Sequence, residues 1–241
     1  MRGFQIIVSG NWAHFKKPET NNNPLSHDLI TKTALIGLIG AVIGIERKEM
    51  RDRFPLLCED LLYGVQLLNP VKKFSWGFTS KTAINPTAAG SPKYFEFLKN
   101  PSFKTSICLN NYRSENDFHC FSQAVKNGES IYPPSLGWHN CPADLYFESE
   151  GEFEKKEIEV FETKSFVSTQ EHTPKELDKG FRIGFEKLPT YQNNEFWNLP
   201  EKYVSVIYPD VSHSLKVEGS YYEYIGINKE EQNVKEQWYL I

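Results

Sequence analysis

The first residues alternate. In "GFQIIVS" (3–9), Phe4, Ile6 and Val8 fall on one face and Gln5, Ile7 and Ser9 on the other, the period of a β-strand. The polar stretch "GNWAHFKKPETNNNPLSHD" (10–28) breaks this pattern and reads as a long loop. Behind it, "LITKTALIGLIGAVIGI" predicts a buried helix over 29–45, with Ser26 or Asp28 placed to cap it. Gly37, Gly40 and Gly44, joined by Ala41, share one side of that helix. Each glycine costs a helix about 1 kcal/mol relative to alanine, so the spacing predicts a close approach, most simply to a sheet. "ERKEMRDRFPLLCEDLL" reads as a second, charged helix interrupted by Pro55, and "LYGVQLLNPVKKFSWGFT" as one strand or two, with a break at Asn69-Pro70.

Residues 80–130 have strand-like pieces but weak periodicity, and read as an insertion carrying a projecting hairpin. "IYPPSLGWHNCPADLYFES" returns to core-like sequence, its glycine suited to a tight turn. Beyond it, "ADLYFES", "IEVFETKSFVS", "GFRIGFEKL", "YVSVIYPD" and "YYEYIGI" are strand signals separated by acidic turns. One strand–helix–strand unit followed by many strands predicts an α+β fold.

The 241 residues suffice for one large domain, and 14% of them are aromatic. The net charge of −4 hides an asymmetry: residues 1–58 hold 8 Lys/Arg against 5 Asp/Glu, residues 72–126 hold 8 against 3, and residues 140–241 hold 11 against 20. A basic half can face phosphates although the whole chain is acidic. Cys58, Cys108, Cys120 and Cys141 form no CxxC pair and no zinc-finger spacing with histidine, so free thiols and no metal are expected. The uncharged run from Ala34 to Ile45 is too short to span a bilayer. A soluble, cytoplasmic protein without a secretory leader is the expectation.

No dinucleotide fingerprint, P-loop or HExxH is present, and "GLIGAVIG" lies inside a helix, where its N–H groups are not free for phosphate. The opening loop is richer. Lys16 and Lys17 can neutralise phosphates; Asn11, Thr20, Asn21, Asn22 and Asn23 can donate to phosphate, sugar or base edges; Trp12 and Phe15 offer stacking faces. His14 and His27 lie among them, near the positive end of the following helix at Ser26–Asp28. Two readings stay open on the residues alone: an RNA or anion site, or a structural loop held by its own asparagine turns with Trp12 in the core.

The run "GNWAHFKKPETNNNPLSHDLITKTALIGLIGAVIGIERKEM" together with "YPPSLGWHNCPADLYFE" resembles the CRISPR-associated Cas-five family of type I interference complexes, closest to the type I-B branch. The match is strongest over 2–70 and 131–148. The resemblance implies a ferredoxin-like (RRM-type) core in two parts, 1–79 and 131–241, with 80–130 as a basic β-hairpin thumb. It implies a non-catalytic subunit of the Cascade surveillance complex that needs no cofactor and holds the 5′ handle of the CRISPR RNA. Its partners would be the Cas-seven backbone subunit, the large Cas-eight type subunit and, by position, target DNA near the PAM. The expected RNA-binding residues are the loop residues above with Ser26, Lys32, Tyr112, Arg113, Trp138 and His139. One branch of the family cuts precursor RNA with a Tyr and an adjacent Lys–His pair, and this chain has no Lys–His dipeptide. His14 or His27 with Lys16, Lys17 or Lys32 is the alternative acid–base set for an endoribonuclease. A purely structural adaptor is the third reading.

Overall fold

The computed structural model describes the whole chain except residues 82–86, 88, 177–181, 194 and 196–198. The first half contains β1 (Arg2–Ser9), β2 (Trp12–Ala13), α1 (Lys32–Ile43), α2 (Arg47–Asp60), β3 (Leu61–Leu67), β4 (Lys73–Ser80), β5 (Ser91–Lys99), β6 (Ser102–Leu109) and α3 (Glu115–Asn127). The second half is built of strands: β7 (Asp144–Thr163), β8 (Val167–Ser168), β9 (Thr173–Glu176), β10 (Ile183–Tyr191), β11 (Lys202–Pro209), β12 (Leu215–Asn228) and β13 (Asn233–Trp238).

β1 lies inside the main antiparallel sheet, whose order is β13-β12-β7-β1-β6-β3, with β9 beside β12. Its alternation explains that place. Phe4, Ile6 and Val8 are buried beneath the helices, where Phe4 meets Phe118 and Phe121 of α3 at ring distances of 5.0 and 5.8 Å. Gln5, on the opposite face, is equally buried but fully used: its amide donates to Ser106 (3.1 Å) and Glu236 (2.7 Å) and its oxygen accepts from Ser149 (3.0 Å). Two smaller three-stranded sheets, β10-β11-β8 and β2-β5-β4, flank this core.

α1 begins at Lys32, three residues later than the pattern suggested, and Thr31 caps it by accepting from the Ala34 N–H (3.2 Å). Ser26 and Asp28 bond elsewhere. The glycines do not bring this helix onto the sheet. Leu35, Ile36, Leu38, Ile39 and Val42 are buried, whereas Gly37 is exposed with open space where a Cβ would be. Gly40 faces Met50 of α2, and Gly44 is the left-handed C-cap, φ +76°, against Ile131. Pro55 does not interrupt α2, because buried Phe54, Leu57 and Cys58 hold the helix on both sides of the one backbone bond a proline removes.

The stretch 80–130 is not one insertion. β4 and β5 form a hairpin that starts earlier, at Lys73, while β6 is the direct neighbour of β1 and α3 covers the main sheet. α3 had the marks of a core helix: Phe118, Phe121 and Val125 on one face, acidic residues in its first turn, Lys126 in its last and Gly128 as a left-handed cap. The break at Asn69-Pro70 falls where β3 leaves the sheet for the hairpin.

Candidate nucleic-acid interface

The β4–β5 hairpin concentrates aromatic side chains on one face. Phe74, Trp76 and Phe78 alternate along β4, and the register sets Phe74 opposite Phe97 and Trp76 opposite Phe95. Residues directly opposite share a face, so five rings form one surface. Its inner part is buried at Phe97, while its outer part is open, with Trp76 47% exposed and Phe74 51%. Two further indoles complete it. Trp12, on β2, lies 5.6 Å from Trp76 and 5.9 Å from Phe74. Trp138 stacks on Phe95 at 5.4 Å and 15° and meets Phe78 at 5.8 Å. The turn carrying Trp138 sits here because Gly137 (φ +82°) lets the backbone pass directly against the His14 carbonyl, where a Cβ would collide. Leu136 also accepts the His14 N–H at 3.0 Å.

His14 lies at the root of this surface, 5.5 Å from both Phe95 and Phe97. It is 5% exposed, its Nδ1 is 2.7 Å from the Glu96 carbonyl, and its Nε2 has no partner among the described residues. Burial pushes its pKa below the ordinary value, so the imidazole is neutral at pH 7. It lines a cavity of about 610 Å3 together with Lys16, Thr31, Thr33, Phe95 and Trp138.

The opening loop clamps the hairpin as well as presenting side chains. Asn23 accepts the Tyr94 N–H (3.2 Å), the Ser26 N–H donates to the Glu96 carboxylate (3.1 Å), and the Glu96 N–H donates to the Pro24 carbonyl (3.0 Å). Lys73, at the hairpin root, pairs with Asp28 (2.7 Å) and Glu96 (3.1 Å). Inside the loop, Thr20 bonds the Lys17 carbonyl and the Leu25 N–H, and buried Ser26 bonds the Phe15 N–H. Phe15 is core.

Lys17 and His27 converge on buried Glu186 of β10, at 3.2 and 2.8 Å, and Glu186 also accepts the Asp28 N–H at 3.1 Å. Burial alone would raise the Glu186 carboxyl, but the His27 bond, the charges of His27 and Lys17 and the Asp28 N–H outweigh it and hold the pKa below the ordinary value. Lys17 and His27 therefore hold the loop to β10. On the solvent side remain Asn11, Lys16 and Asn21, which bond each other in the latter pair (3.2 Å), and Asn22.

Three expected residues lie apart. Lys32 faces a separate cavity beneath the start of α1. Tyr112 is exposed on the turn before α3, and Arg113 is tied to Asp60 (2.5 Å) and Glu59 (3.0 Å) of α2. His139 is exposed beside Trp138. The sequence reading missed Phe74, Trp76, Phe78, Phe95 and Phe97, although their signal is plain: aromatics at every second position in "FSWGF" and "FEF".

A family model described as CRISPR-associated protein (Cas_Cas5) matches residues 5–144, from β1 through the hairpin and α3 to the start of β7. The chain belongs to the Cas5 family. No curated protein matches it in sequence. Among solved structures, this Cas5-family chain is similar to a CRISPR protein from Archaeoglobus fulgidus, with a TM-score of 0.55 at 13% identity, covering 93% of this chain and 95% of that one. It is also similar to a chain of a CRISPR RNA-guided surveillance complex, with a TM-score of 0.51 at 12% identity, covering 90% and 91%. At such identities the likeness is one of fold.

Among the described residues, no three His, Cys, Asp or Glu side chains gather as a metal group, and no helix is long and apolar enough to cross a membrane. The four cysteines are free thiols.

Proposed function

We propose that this Cas5-family chain is a non-catalytic RNA-binding subunit of a type I Cascade complex, of the I-B branch, and holds the 5′ handle of the CRISPR RNA. The observation that carries this reading is the exposed aromatic face of the β4–β5 hairpin, flanked by Trp12, Trp138 and the exposed amides and ammonium of the opening loop. Bases stack on aromatic faces in single strands, at about 1–3 kcal/mol each. Lys16 supplies a phosphate contact, and His14 Nε2 a hydrogen bond to a base entering the adjoining cavity.

We read the hairpin as the thumb. The four strands β7-β1-β6-β3, crossed by α1 and α3, follow the order of a ferredoxin-like core. The Cas-seven backbone subunit and the large subunit are the protein partners, and target DNA near the PAM lies within their reach. The acidic strands of the second half face away from RNA or toward basic subunits.

The non-catalytic assignment rests on the histidines. His14 and His27 are both buried; His27 is bound to Glu186 and Lys17 is already ion-paired. A cleavage reaction needs a base for the 2′-hydroxyl and an acid for the leaving oxygen; the His27 and Lys17 pair is committed to Glu186, and His14 is held by its Nδ1 against the Glu96 carbonyl. Photo-crosslinking of the assembled complex tests the site. RNA crosslinks at Trp76 and Lys16 are expected; their absence, with crosslinks only to other subunits, transfers the role to a structural adaptor.

A further inference from the structure

Beneath the start of α1 lies a second cavity, of about 350 Å3, to which the hairpin contributes no lining residue. Lys32 reaches into it from the first turn of α1, with Cys58 of α2 and Tyr239 of the C-terminal segment around it. Lys32 is only 5% exposed. Among the described residues no carboxylate pairs with it and no protein hydrogen-bond acceptor meets its ammonium, which opens into the cavity. Burial lowers its pKa to about 8, so at neutral pH it still carries its charge. The neighbouring Cys58 thiol is pushed up to about 11 by the same burial and supplies no counter-charge. A buried cation without a partner is costly.

The rest of the lining is built for an anion. Lys155 and Lys202 stand exposed at the mouth, and the Lys202 ammonium rests 4.7 Å from the centre of the Tyr191 ring. Burial raises the Tyr191 and Tyr222 phenols, which therefore stay protonated and can donate. The three lysines of the lining outnumber its two carboxylates, of which Glu59 already pairs with Arg113 at 3.0 Å.

We infer that this cavity binds a terminal phosphate group, with Lys32 as its buried cation, Lys155 and Lys202 closing over it, and the tyrosine hydroxyls donating to its oxygens. A phosphomonoester, carrying close to two negative charges, suits one buried and two rim cations. An internal phosphodiester carries only one negative charge. The same chemistry is offered by a free nucleotide and by the phosphorylated end of an RNA.

Thermal unfolding of the full chain tests this, in inorganic phosphate against sodium chloride of matched ionic strength. Phosphate raises the wild-type Tm beyond the salt control. The rise disappears in Lys32→Met, which keeps the packing of the stem, and in the double variant Lys155→Gln with Lys202→Gln, whose exposed positions leave the fold intact and decide the matter should Lys32→Met fail to fold. A wild type indifferent to phosphate, or a full rise in the double variant, overturns the site. A nucleoside monophosphate and a 5′-phosphorylated oligonucleotide, each beside its 5′-hydroxyl counterpart, then assign the source; a phosphate-dependent rise with either supports the site. Trp76→Ala leaves the phosphate response unchanged, so failure here is distinguishable from failure of the handle-binding reading.

Discussion

Lys16 and Lys17 are adjacent in sequence and equal in charge, yet the fold separates their roles. Lys16 is exposed and bonded only to Asn21, whereas Lys17 is committed to Glu186. Lys16→Ala therefore flattens the salt dependence of RNA binding, lowering the slope of log K against log salt by about one. Lys17→Ala leaves that slope unchanged. Binding titrations across a salt series read both. Glu186→Gln strips Lys17 of its counter-charge, weakens the bond to His27 and costs about 3 kcal/mol at pH 7, measured by denaturant unfolding. Its pH dependence has a definite sign. The folded carboxyl lies below its ordinary value, so the unfolded chain takes up its proton first as pH falls. The contribution is complete above the ordinary carboxylate range and is lost as pH drops through the lowered folded value, a loss the Gln variant does not show. None of this was legible in the sequence. A lysine pair reads as two cations until the partner, here 169 residues further along from Lys17 to Glu186, is brought beside one of them.

At the scale of elements, periodicity was a good guide wherever one face is buried. The first strand, the helix behind the loop and the described parts of the strand signals of the second half lie in regular elements of the expected type, while residues 180 and 181 of "GFRIGFEKL" lie outside the described residues. The errors share a cause, which is that a spacing shows which residues share a face but not what that face meets. The glycine side of α1 was assigned to the sheet, yet Gly37 faces open space and Gly44 is a cap. Gly37→Ala accordingly stabilises the protein, by about 1 kcal/mol, and raises Tm. Gly44→Ala lowers it, because a side chain there meets both a left-handed backbone and Ile131. The aromatic alternation of β4 was read as an ordinary strand because nothing local says that Phe74, Trp76 and Phe78 stay outside the core. Only the register with β5 shows a second row of rings beside them. The same blindness set the insertion at 80–130: β6 pairs with β1 across about a hundred residues, and such contacts leave no local trace.

At the scale of the whole molecule, the opening loop, the hairpin and the Gly137 turn form one unit fixed to the core, with Trp12, Trp138 and the hairpin rings as its outer surface. Purified protein mixed with repeat RNA in the absence of metal leaves the RNA intact, read on a denaturing gel; a discrete fragment lost in a His14→Ala or His27→Ala variant would instead establish an endoribonuclease. The central claim is that the aromatic face of the hairpin holds the handle. The most direct measurement is the affinity of the purified protein for handle RNA, in wild type and in Trp76→Ala. Trp76 is half exposed, so its loss leaves the fold intact by circular dichroism. The account predicts about tenfold weaker binding, the equivalent of one lost base stack. Unchanged affinity in a folded Trp76→Ala protein contradicts it.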